Sequence, residues 1–283
     1  MQRNVLTGLV GLTLAIGWMA ACDKRSRDAS TFTTAGVAHL QQKEYDRAIR
    51  DFDRAIALQP GLVVAWRNRG LAHREKGDFE RAIADYDQAA LLSPADARVF
   101  NDRGLAYVGM DDYAHAIQDF DRAISLKPDH AAAMQNRGRT YFLLGNHAQA
   151  AADLQRGLLL DSTNASAVIW LHLARQRMRQ DDASDFAAQS AVADTTRWPA
   201  PVLRYLQGRL SADSLRAVSD STDADSRADQ RCAAAFYLGE AALLREARDS
   251  AATLFEETRA SCPRAWTEYK GAVAELRKLG RRE

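Results

Sequence analysis

Apolar and small residues recur along this chain with two nested periods. Within short stretches they fall three and four positions apart, the spacing that gathers them on one side of an α-helix. Over longer stretches the whole pattern returns every 34 residues. Gly36, Gly70, Gly104 and Gly138 form one series, and Ala48, Ala82, Ala116 and Ala150 a second. Phe52, Tyr86, Phe120 and Leu154 form a third, and Ala55, Ala89, Ala123 and Gly157 a fourth. Trp66, Phe100 and Met134 stand four residues before the later glycines, and Tyr45, Phe79, Tyr113 and His147 open each second apolar run. Pro60, Pro94 and Pro128 close successive units. Two helices per unit satisfy this arrangement. Small residues at unit positions 8, 20 and 27 let the helices approach, large ones at 4 and 24 fill the gap, and proline at 32 ends the second helix.

Four regular units are expected, at 29–62, 63–96, 97–130 and 131–164, and they resemble tetratricopeptide (TPR) repeats. Beyond them the register weakens. Ala165 to Arg179 reads as a further first helix with Trp170 and Leu173 on its apolar side, Asp181 to Trp198 as a divergent helix and polar turn, and Pro199 to Val218 as two short helices around Gly208. Residues 219–230, SDSTDADSRADQ, read as an exposed loop, so that 165–230 is a degenerate region. The pattern returns over 231–263, with Gly239 at position 8, Ala251 at 20, Phe255 at 24 and Pro263 at 32. A last helix within 264–283 carries Trp266, Tyr269, Val273 and Leu276 on one side and caps the stack, whose final repeat would otherwise expose an apolar face. The fold class expected is all-α: one continuous TPR α-solenoid, a superhelix of helix–turn–helix repeats with a C-terminal capping helix.

The start of the chain has a different character. Residues 5–21 carry no charge and follow Arg3, the layout of a secretory signal. Met19-Ala20-Ala21-Cys22 resembles a bacterial lipobox, with methionine where leucine is usual. On that reading 1–21 is a lipoprotein signal peptide, Cys22 is the lipidated first residue, and 22–28 is a short tether. The alternatives are an uncleaved membrane helix and a cytoplasmic chain. Seventeen apolar residues lie at the short limit for spanning, and Lys24, Arg25 and Arg27 beyond them oppose translocation. The first two readings both place the remainder outside the cytoplasm.

Composition removes some functions. Thirty-eight Lys+Arg against thirty-seven Asp+Glu give a net charge of +1, which leaves no electrostatic footprint for nucleic acid. Sixteen glycines and six prolines are too few for an all-β fold rich in tight turns. Of the three cysteines, Cys232 and Cys262 hold unit positions 1 and 31, which a helical hairpin brings side by side. An extracytoplasmic compartment permits a disulfide there; two free buried thiols are the alternative. His39 and His73 share position 11 with Tyr107 and Tyr141, so both read as core substitutions. No motif of metal-ligand spacing occurs. No metal, cofactor or catalytic residue is expected. Arg69, Arg103 and Arg137 at position 7 and Asp51, Asp85, Asp119 and Asp153 at position 23 read as paired structural columns along the stack.

The order of the second half is similar to that of the NlpI family of TPR lipoproteins. The residues that carry this are Trp170-Leu171-His172-Leu173-Ala174, Leu203-Arg204-Tyr205-Leu206-Gln207-Gly208, Phe236-Tyr237-Leu238-Gly239, Ala251 to Phe255, Glu268-Tyr269 and Ala274-Glu275-Leu276. The resemblance implies a non-catalytic adaptor, membrane-anchored in the bacterial cell envelope and facing the periplasm. It would recruit a periplasmic protease or peptidoglycan hydrolases in cell-wall remodelling. By analogy with TPR proteins, the concave partner groove takes Arg67, Asn68, Leu71 and Arg74, then Asn101, Asp102 and Leu105, then Gln135, Asn136, Arg139 and Phe142. Leu71 stands where a carboxylate-clamp TPR would have asparagine, which disfavours that subclass. The family's extra N-terminal helical segment, which helps it dimerise, has no counterpart between Cys22 and the first repeat, which puts homodimerisation in doubt and leaves the oligomeric state open. Asp23 resembles an inner-membrane retention signal that does not hold in all bacteria, so inner and outer membrane both stay open. Two rival functions remain: a lipoprotein subunit of a secretion, pilus or outer-membrane assembly machine, and, more remotely, a hydrolase within 181–230.

Overall fold

A computed structural model describes residues 26–220, 224–264 and 266–281. The signal at 1–21, Cys22 and the tether as far as residue 25 lie outside the described residues. All regular structure among the described residues is α-helical, and the chain divides between Val99 and Phe100 into two compact units.

The first unit contains α1 (26–41), α2 (Tyr45–Leu58), α3 (Val63–Lys76) and α4 (Phe79–Leu92). Its hairpins close because a ring from the second helix lies on the glycine of the first. A Cβ at Gly36 would stand 2.6 Å from the Phe52 ring, and one at Gly70 2.9 Å from Tyr86. Ala48, Phe52 and Ala72 pack with Val37, Leu40 and Ile49, so successive hairpins share side chains. The turn after α3 is made by Gly77 in the left-handed region, φ +85°, where a side chain would be strained.

The second unit contains most of α5 (Ala97–Gly109), then α6 (Tyr113–Leu126), α7 (Ala131–Leu143), α8 (His147–Leu160) and α9 (Ala165–Arg177). Three shorter helices follow, α10 (Ala183–Val192), α11 (Ala200–Leu206) and α12 (Ala212–Asp220). The unit closes with α13 (Ala224–Leu244), α14 (Arg248–Ser261) and α15 (Thr267–Lys278). Phe120 lies on Gly104 and Phe255 on Gly239, each 2.7 Å from where a Cβ would be. The core gathers at Trp170, which is fully buried. Its ring centroid lies 5.0 Å from that of Phe142 on α7 and 5.4 Å from that of Phe236 on α13. Cys232 of α13 and Cys262, just beyond α14, form a disulfide with their Cα atoms 5.1 Å apart.

Three expectations change. The tether is helical from residue 26, because no glycine or proline interrupts 23–35 and the Thr31, Thr33 and Thr34 hydroxyls donate to carbonyls one turn back. The loop expected over 219–230 is already helix from Ala224; Ala224, Arg227, Ala228 and Gln230 favour helix, and no glycine or proline within 219–230 stops it. The arginine and aspartate columns pair first within a hairpin. Arg69 grips both carboxylate oxygens of Asp85 at 2.9 and 2.6 Å, Arg103 those of Asp119 at 2.7 and 2.6 Å, and Arg137 those of Asp153 at 2.6 and 2.7 Å. Positions 7 and 23 face each other across one hairpin, which suits the two-pronged guanidinium. Arg69 also reaches Asp53 at 2.6 Å, and Arg137 reaches Asp121, so the same arginines bind the preceding second helix as well. In the first hairpin His39 does this work, its Nδ1 lying 2.8 Å from Asp51 while 30% of its side chain remains exposed.

Candidate interaction surface

The groove residues assigned from the repeat register have two fates. In the first unit Arg67, Asn68, Leu71 and Arg74 share one side of α3, at spacings of one, four and seven. All four are half-buried, whereas Ala65, Gly70 and Ala72 on the inner side are buried. Trp66 fixes the start of the helix by donating from Nε1 to the Pro60 carbonyl at 2.7 Å, and the Arg69 guanidinium sits 4.8 Å over its ring. Arg74 bonds its neighbour Glu75 at 2.7 Å through Nη2, while its buried Nε has no hydrogen-bond partner. Arg67 faces Asp96, whose carboxyl is held below the usual range mainly by hydrogen bonds from Arg98, with a lesser contribution from Arg67.

In the second unit the corresponding side chains are not an open groove. Asn101, Asp102, Gln135, Asn136 and Phe142 are all buried, and Leu105 packs beside Val108 and Phe120. The amides bond one another: Asn136 donates to Asn101 at 2.8 Å, Asn101 to Asp102 at 3.2 Å, and Asn164 to Gln135 at 2.8 Å. Arg139 donates to Asn136, and its charge is faced by Glu268 and Tyr237 of the chain's own C-terminal helices. Burial holds the Arg139 guanidinium below its ordinary range. The reason for the difference is that α15 packs on α7, and α13 on α9. The Lys270 ammonium, on α15, donates to the Gly109 carbonyl at the end of α5 at 2.8 Å and lies 2.9 Å from Asp111. Gly271 rests on the Phe236 ring, 2.6 Å from where its Cβ would be. Arg177, on α9, binds Glu240 of α13 at 2.7 Å and Glu275 of α15 at 3.3 Å. Sequence reasoning missed Glu240, Lys270 and Glu275, because a charged residue on a helix ordinarily reads as solvent-facing. The one available signal was Gly271, a glycine inside the capping helix and outside the 34-residue series.

Known proteins share this architecture. The tetratricopeptide repeat family matches residues 36–99 and 71–129, and a second tetratricopeptide repeat description matches 101–167. Residues 36–167 are tetratricopeptide repeats. The chain is similar in structure to pilF of Pseudomonas aeruginosa, at 18% identity and a TM-score of 0.56, over 89% of this chain and 99% of that one. It is also similar to a thermophilic TPR protein of Thermus thermophilus, TTC0263, at 21% identity and a TM-score of 0.53, over 64% of this chain and 97% of that one. A MamA protein matches at 21% identity and a TM-score of 0.50, over 57% of this chain and 89% of that one. At these identities the likeness concerns the fold. TPR repeats are a protein–protein interaction fold.

Other features of the chain bear on its chemistry. A cleft of about 410 Å³ beside α10 and α11 is lined by Ala187, Ser190, Ala191, Thr195, Leu203 and Arg204 among others, and no carboxylate, histidine or cysteine is among its lining residues. Among the described residues no group of three or more His, Cys, Asp or Glu could hold a metal ion, and no helix is long and apolar enough to cross a membrane. The Glu240 carboxyl is pushed up to about 7 by burial and by Glu275, against the opposing pull of Arg177. A carboxyl raised in the folded state stabilises it fully below its ordinary value of 4.5, and that contribution is lost as pH rises through about 7. The thermal midpoint of the wild type should therefore fall relative to Glu240→Gln between pH 5 and 7.5, measured by circular dichroism. Parallel curves over that window would contradict the assignment.

Proposed function

We propose that this chain is a non-catalytic adaptor of the bacterial cell envelope, lipid-anchored at Cys22, that recruits a periplasmic protease or peptidoglycan hydrolases. The observation that carries the docking half is the half-exposed side of α3, with Arg67, Asn68, Leu71 and Arg74 in one row. Each side chain suits an extended peptide in a different way. Guanidinium groups take carboxylates through paired hydrogen bonds, the Asn68 amide can both donate to and accept from a peptide backbone, and Leu71 offers an apolar contact for a side chain between them. The anchoring half rests on the uncharged run at 5–21 and its ending Met-Ala-Ala-Cys.

Palmitate labelling in cells tests the anchor. Cys22→Ser should abolish label incorporation and release the protein from membranes, and unchanged labelling would remove the lipoprotein half of the proposal. Alanine at Arg67, Asn68, Leu71 and Arg74 together tests the docking face. Helicity should be unchanged while recovery of the cross-linked envelope partner falls at least tenfold; unchanged recovery would move the interface elsewhere.

A further inference from the structure

We propose that the face of α5, α7 and α13 beneath α15 is a second docking surface, built for an amphipathic partner helix, with α15 as its occupant in cis. This surface lies in the second unit and does not depend on the α3 face. Its location follows the TPR register, since α15 covers the side of α7 whose side chains would otherwise meet a partner.

The seat of α15 is electrostatically specific and sparsely apolar. Its buried residues are Lys270, Gly271, Ala272, Glu275 and Leu276, so Leu276 is the one large apolar side chain among them, and two of the five are charged. Buried ion pairs contribute little net stability, because desolvation offsets the attraction, but they penalise wrong pairings heavily. Three of the charges on α15, Glu268, Lys270 and Glu275, have counterparts on the surface below. Glu268 accepts from the Tyr237 hydroxyl at 3.0 Å and faces Arg139. Lys270 meets the C-terminal carbonyl of α5, the negative end of that helix. Glu275 shares Arg177 with Glu240, so two buried carboxylates lean on one guanidinium, and Lys278 bonds Glu275 from the solvent side at 2.8 Å. The surface thus reads a helix with an acid, a lysine two residues later, a small residue next, and a second acid five residues after the lysine. The Cys232–Cys262 disulfide pins the end of α14, and four residues, 263–266, lead from it to α15. α15 also packs along α14, so leaving the seat breaks that contact as well, while the disulfide keeps α14 tied to α13.

Two measurements on the full-length protein test this. In the wild type, hydrogen exchange of residues 267–278 should run at least a hundredfold faster than that of α13 and α14, the signature of a helix that opens below the global unfolding barrier. Exchange at the rate of α13 and α14 would show α15 to be an integral cap and overturn the proposal. The second measurement uses a fluorescein-labelled synthetic peptide of residues 266–281 and the variant Gly271→Leu, whose side chain would drive into the Phe236 ring. The folded variant should bind the peptide at least tenfold more tightly than the wild type, and a peptide with Lys270→Glu and Glu275→Lys should not bind. Equal binding of the two peptides, or no binding by a variant that retains its near-ultraviolet circular dichroism, would refute the surface.

Discussion

Trp170→Ala should lower the stability of the second unit by about 3–5 kcal/mol, the range for removing a buried large aromatic side chain. Trp170 is fully buried on α9, and its ring meets Phe142 of α7, Phe236 of α13 and, at 6.1 Å, Tyr237. Those rings come from α7 and α13, so the space left behind on α9 cannot close without moving whole elements past one another. Urea unfolding followed by far-ultraviolet circular dichroism measures the change. A loss below about 1 kcal/mol would mean that the three helices do not converge on this ring.

Arg177→Met should be similarly costly for a different reason. The substitution keeps much of the side-chain volume but leaves Glu240 and Glu275 buried together without their shared cation. Removing one partner of a buried ion pair costs about 3–5 kcal/mol, whereas replacing all the charges by neutral groups is often close to neutral. The triple variant Arg177→Met, Glu240→Gln, Glu275→Gln should therefore recover most of what the single variant loses. Equal loss in both would make the site a matter of packing volume alone.

The contrast between these positions and the repeats explains what the amino-acid sequence reveals. Gly36 with Phe52, Gly70 with Tyr86 and Gly104 with Phe120 are legible because every hairpin solves the same contact with the same residue types. Periodicity therefore identifies the helices, their pairing and the TPR architecture. The covered face is not legible in that way. Gln135, Asn136 and Arg139 look like groove residues because they are polar and fall at groove positions, yet they are turned inside: Arg139 donates to Asn136 and faces Glu268 and Tyr237, and Gln135 accepts from Asn164 while its buried Nε2 has no hydrogen-bond partner. Which repeats keep an open face depends on contacts between residues more than a hundred apart, such as Lys270 with Gly109, and no short-range pattern reports those. The arginine and aspartate columns lie between these extremes. Their residue types announce ion pairs, but the hairpin geometry decides that position 7 grips position 23 of its own unit. The polar run at 219–230 misleads for a simpler reason: an Asp- and Ser-rich composition resembles a loop, while the absence of glycine and proline lets α13 begin at Ala224.

Recruitment of envelope enzymes by the α3 face is the proposal that most needs a direct test. The most direct measurement is affinity capture from cross-linked, detergent-solubilised membranes with identification by mass spectrometry, comparing wild type with the Arg67, Asn68, Leu71 and Arg74 alanine variant. A periplasmic protease or peptidoglycan hydrolase should be recovered with the wild type and lost with the variant. Recovery of secretion or pilus components in its place, or the same partners from both proteins, would contradict the proposal.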